Sequence, residues 1–151
     1  MQVPSRALAA TVAVLIAVLL AGCSAFTTVD DNQSAVCPRL YGMQQVVAQA
    51  TGILDPETTV AAAAQGTQAA LDGAVTVRPT LSMAQTQLLD RYSEALREYQ
   101  KALATRPADD TLESQLPGLD AYRLHVLATY RTMLTTVGCG LPGYYATLPR
   151  A

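Results

Sequence analysis

Hydrophobic positions along the 151-residue chain follow two patterns. From Ala7 to Leu20 they are continuous, broken only by Thr11. Beyond Cys37 they recur at alternating three- and four-residue steps, the spacing that gathers side chains on one face of a helix. Four such seams predict four helices. The first is Leu40, Met43, Val47, Ala50, Leu54, and the second is Val60, Ala64, Thr67, Leu71, Ala74. The third, Leu89, Tyr92, Leu96, Tyr99, Leu103, is the clearest. The fourth is Leu124, Leu127, Tyr130, Leu134, Val137.

Punctuation residues bound these segments. Pro38 suits the first turn of the first helix, and Asp55-Pro56 ends that helix and starts the next, Asp55 as cap and Pro56 at the first helical position. Gly66 and Gly73 in the second helix imply close backbone packing against a neighbour, since interior glycines otherwise cost about 1 kcal/mol each. Val75 to Leu81, with Pro79, reads as a connection. Ser82 with Gln85 three residues on matches a capping box for the third helix. Arg106-Pro107 ends it. Ala108 to Leu119 reads as a long link, with one short turn capped by Asp110 and Glu113. Asp120 then caps the fourth helix and Gly138 stops it. The expected fold is all-α, an antiparallel four-helix bundle with up-down-up-down topology.

The N-terminal run needs a different reading. It follows Arg6, a single positive charge, and at 14 residues is short of the ~18 that span a bilayer comfortably. It leads into Leu20-Ala21-Gly22-Cys23. Charge, apolar run and small residues before a cysteine, in this order, resemble the lipobox signal of bacterial lipoproteins. The resemblance covers the signal segment alone. It implies that residues 1–22 are removed, that Leu20, Ala21 and Gly22 form the recognition and cleavage site, and that Cys23 carries the lipid. The protein would then sit at the cell membrane, lipid-anchored on the extracytoplasmic face. Residues 23–36 are polar, lack helical period and are expected to be a flexible tether, reaching at most ~45 Å. The bundle would occupy residues 37–139, and 140–151 a short tail with Tyr144 and Tyr145.

A lipidated Cys23 leaves Cys37 and Cys139, an even pair in an exported protein, where a disulfide is the default. In an up-down-up-down bundle the start of the first helix and the end of the last are neighbours, and the two cysteines stand at those places. A bridge closing so long a loop would contribute ~4–5 kcal/mol in the chain-entropy model.

Composition narrows the function. Removing 22 residues leaves 129, enough for one domain with a real core. Loss of Arg6 takes the formal charge from −2 to −3, which leaves no basic patch for nucleic acid.

Candidate chemistry is sparse. His125 is the single histidine and falls beside the fourth seam; as a general base or haem ligand it would have Tyr122 or Tyr130 nearby but no nucleophile motif or second histidine, so a boundary or surface position is expected. Residues 138–143 match G-x-G-x-x-G in letters, but they follow a helix, whereas a dinucleotide loop follows a strand. Asp90, Glu94 and Glu98, with Arg97 and Lys101 three residues after the last two, predict a solvated, ion-paired helix face. Tyr92 and Tyr99 are expected in the core, with an apolar ligand slot as the alternative. The stretch from Tyr92 to Leu103 with Pro107 after it resembles the second helix of a tetratricopeptide repeat, over one helix, with no echo at 34-residue offsets. Catalytic residues, metal ligands and cofactors are therefore not expected. The favoured reading is a non-enzymatic binding or structural module with an envelope protein as partner. The alternatives are a carrier for lipid or haem, and a degenerate tetratricopeptide-like peptide scaffold.

Overall fold

The third seam forms one unbroken helix of the structure, a computed structural model that describes residues 27–141 and 143, with side-chain surroundings from residue 35 onward. Five α-helices are labelled in chain order: α1 Thr27–Gly42, α2 Gln44–Thr51, α3 Val60–Val77, α4 Met83–Leu103 and α5 Leu112–Val137. Met43 alone separates α1 from α2 and keeps right-handed helical geometry, so the two form one interrupted helical segment. Among the described residues the fold is thus four helical segments with no strand. A compact unit begins at Ala35.

Helix α4 starts where its sequence signals it. Ser82 accepts from the Gln85 amide while the Gln85 side chain accepts from the Ser82 amide, which is the reciprocal capping box. Leu89, Tyr92, Leu96, Tyr99 and Leu103 are all buried. They meet Val126, Leu127, Tyr130 and Leu134 of α5, the partner on which α4 packs most extensively. The α2–α3 contact rests on small residues. A Cβ on Gly66 would stand 2.9 Å from the Ala50 nitrogen, and one on Gly73 3.2 Å from Met43 Cγ.

The seams and their boundaries need correction: α3 starts at Val60 with Thr59 as cap, not at Pro56 after Asp55, and Leu124 is only half-buried. Leu54 is 61% exposed, because α2 stops at Thr51 with Gly52 at φ 60°, a left-handed cap that turns the chain away. The buried stripe of α3 passes through Ala63, Gly66 and Ala70, leaving Ala64 and Leu71 at its edge, because small residues face the close-packed neighbour. Helix α5 begins at Leu112, capped by Thr111, eight positions before the Asp120 expected to cap it. It therefore runs through Pro117. Leu112, Leu119, Val126 and Met133 form a buried seven-residue repeat that holds the first two turns on the core across the proline. Asp120 instead pairs with Arg123 at 2.7 Å.

Upstream, α1 begins at Thr27, inside the segment expected to be a tether, and includes Pro38 within its length. Val36 and Leu40 are fully buried, so the domain's hold on α1 starts before the proline. The signal residues Leu20, Ala21, Gly22 and Cys23, and the tail from residue 144, lie outside the described residues.

Candidate functional site

Two ties hold the domain, one at each end of α5. At its C-terminus Gly138 adopts φ 86° and caps the helix, and Cys139 follows directly. Cys139 is bonded to Cys37 of α1, with Cα atoms 5.5 Å apart. Tyr41 donates to the Gly140 carbonyl at 2.9 Å, and Tyr130 donates to the Leu40 carbonyl at 2.6 Å. The paired cysteines expected from the sequence are thus brought together.

The second tie joins two helix starts. Thr59 and Thr111 form an isolated antiparallel bridge. The Val60 amide donates to Asp110 and the Leu112 amide to Thr58, each at 2.8 Å. The Ala61 amide donates to Ala108 at 3.0 Å and the Glu113 amide to Pro56 at 3.4 Å. Each helix therefore places its first unsatisfied donors on the loop that precedes the other helix, at equivalent positions. Thr59 and Thr111 add matching side-chain caps, accepting from the Ala62 and Ser114 amides. The two ties lie a helix length apart, roughly 39 Å for the 26 residues of α5.

Beside the second tie is a cleft of about 440 Å³, open to solvent. Gln45, Ala48 and Gln49 of α2 form one wall, and Leu54 with Asp55 the other. Thr58, Thr59 and Ala62 close it at the start of α3. Asp55 accepts from the Glu57 amide at 3.1 Å, which shapes the turn at the rim. Sequence reading missed this cleft because it treated Leu54 as core. The Thr-Gly pair at Thr51-Gly52 was the signal that α2 ends early.

A second groove, of about 460 Å³, runs between α4 and α5. His125 lies here, exposed, with Leu88 and Ala128 below and Arg91, Glu94 and Glu98 along the α4 side. Glu94 pairs with Arg97 at 3.2 Å, as the ion-paired face predicts. Asp90 departs from that row and pairs with Arg78 beyond the end of α3. No group of His, Cys, Asp and Glu among the described residues could hold a metal ion.

Tyr92 and Tyr99 are core residues, both fully buried. The Tyr92 ring packs on Tyr130 with centroids 5.4 Å apart. Burial holds the Tyr92 hydroxyl well above its ordinary pKa, and the neighbouring Tyr130 adds to this. Burial pushes Tyr99 up to about 12, opposed in part by Arg123. Gly138 to Leu141 follows a helix, so the G-x-G-x-x-G letters have no strand before them. No described helix is long and apolar enough to cross a membrane. Comparison with protein-family models, curated proteins and solved structures found no match.

Proposed function

We propose that the chain is a lipid-anchored lipoprotein of the bacterial envelope, held on the extracytoplasmic face through Cys23, whose helical domain is a non-enzymatic binding or structural module for an envelope protein. The observation that carries the anchor is Leu20-Ala21-Gly22-Cys23 directly after a charged start and an apolar run.

We read the domain as an antiparallel bundle, up-down-up-down. Gly66 opposite Ala50 and Gly73 opposite Met43 support opposed directions for α2 and α3. The Gln68–Gln100 and Arg78–Asp90 pairs support the same for α3 and α4. The Cys37–Cys139 pair joins first helix to last. A binding role is favoured over an apolar carrier because the glycines of α3 are taken up by close helix packing and the tyrosines by the core. Both leave the described clefts on the outside, suited to a partner's surface.

The test is Cys23→Ser. The wild-type protein is expected in the membrane fraction with an acylated N-terminus at Cys23, and the variant without it. Persistence of acyl mass in the variant would refute the reading. His125→Ala should leave partner capture unchanged, since the binding reading gives that imidazole no role; a large loss with folding intact would favour a haem or catalytic role.

A further inference from the structure

We propose that the cleft beside the Thr59–Thr111 bridge is the partner site, and that it takes a peptide segment in which an apolar side chain is flanked by basic residues. The proposal rests on the binding-module reading above and names the partner's chemistry.

Two independent observations carry it. The first is shape. Ala48 and Ala62 are the small apolar residues of the cleft lining, and Leu54, which also lines it, is 61% exposed. A leucine left in solvent by a left-handed cap at Gly52 is held there by backbone geometry, so it does not fold back onto the core. The space of about 440 Å³ admits one or two apolar side chains. The second is charge. Half of the acids between residues 35 and 141 sit on the two bridged loops and the helix start beside them: Asp55, Glu57, Asp109, Asp110 and Glu113. Arg106 is the one basic residue among them, and its guanidinium lies over Gly118, where a Cβ would collide with it. Among the described residues no basic side chain lines the cleft. Of these acids Asp55 lines the cleft, and the reciprocal amide bonds to Thr58 and Asp110 hold the second acidic loop against the first, with the Asp110 carboxylate accepting from Gln115. A cleft that pairs an exposed leucine with the Asp55 carboxylate, beside two acidic loops, selects a basic, amphipathic segment, and like charge there is repelled. Gln45 and Gln49 on the facing wall offer amides to a peptide backbone.

The test uses the full chain purified from membranes of the producing bacterium in a neutral detergent. The probes are synthetic peptides with a leucine flanked by Lys, by Ser or by Glu, followed by backbone NMR shifts. The lysine peptide should perturb Ala48, Leu54, Thr58 and Ala62, and bind roughly tenfold or more tightly than the glutamate peptide. Leu54→Ser, or Asp55→Asn with Glu57→Gln, should remove that preference while the melting temperature stays unchanged; the asparagine carbonyl would keep the acceptor for the amide two residues on. Absence of binding at millimolar peptide, equal binding of all peptides, or shifts centred on Leu88 and Ala128 would overturn the proposal. So would concentration-dependent shifts at Leu54 without peptide, which would make a second copy the occupant. Acyl mass on Cys23 is read from the same preparation. An acylated protein that ignores the peptides refutes the cleft alone, and an unacylated protein that binds them refutes the anchor alone.

Discussion

Tyr92, Tyr99 and Tyr130 bring three hydroxyls into one core, and they differ in what receives them. That of Tyr130 donates to the Leu40 carbonyl, whereas those of Tyr92 and Tyr99 are buried with no protein partner. A made hydrogen bond is worth about 0.5–1.5 kcal/mol net, while a buried unsatisfied group is a cost. Tyr130→Phe should therefore destabilise by about 1 kcal/mol in urea unfolding, and Tyr92→Phe should be neutral or stabilising. The Tyr92 and Tyr99 hydroxyls set an alkaline limit. Their folded pKa values lie above the ordinary 10.0, Tyr99 at about 12 and Tyr92 well above 10.0. Between those values the unfolded tyrosine ionises while the folded one stays neutral, so stability present below pH 10 is lost as pH rises through the folded pKa. Urea midpoints should fall from pH 10 towards 12, and Tyr99→Phe should flatten the slope. Glycine supplies a further residue-scale contrast. Gly66→Ala forces a methyl onto the Ala50 backbone and should cost about 1–3 kcal/mol, outweighing the ~1 kcal/mol gain in helix propensity. Gly42→Ala meets nothing within 4 Å and should not destabilise.

At the scale of elements, the Thr59–Thr111 bridge couples two helix starts that lie 52 positions apart in the chain. Loss of either threonine cap should cost about 1 kcal/mol. Because each helix rests its first amides on the loop before the other, Thr59→Ala with Thr111→Ala should cost less than the sum of the single changes, by about 0.5 kcal/mol or more. Additive costs in that double-mutant cycle would contradict the reciprocal arrangement. None of this coupling was legible beforehand, since it is a long-range pairing between loops. What was legible is what local chemistry decides alone. The capping box at Ser82 and Gln85 and the seam from Leu89 to Leu103 agree with each other, and the structure follows both. Misreadings fell where two signals compete. Pro117-Gly118 falls in the stretch expected to be a link, yet the Leu112–Leu119–Val126–Met133 repeat keeps the helix on the core there. At Leu54 the seam continued in letters after Gly52 had ended the helix. In α1 the polar residues after Cys23 lack an apolar period, and the helix from Thr27 was not foreseen. The cleft went unseen for the same reason as Leu54.

For the whole molecule, the Cys37–Cys139 bond closes a separation of 102 residues and is the feature where sequence and structure meet most closely. Replacing both cysteines by alanine should lower stability by about 2–5 kcal/mol, seen as a reductant-insensitive shift of the urea midpoint. Along α5 the bond stands at one end and the Thr59–Thr111 bridge with its cleft at the other. Intact mass spectrometry with a non-reducing peptide map of the membrane-extracted protein reads the proposed lipid on Cys23 and the Cys37–Cys139 bond together. The predicted result is a chain beginning at Cys23 with added acyl mass and a peptide pair linked through Cys37 and Cys139. A chain beginning elsewhere, or one without acyl mass, or free thiols at Cys37 and Cys139, would contradict it.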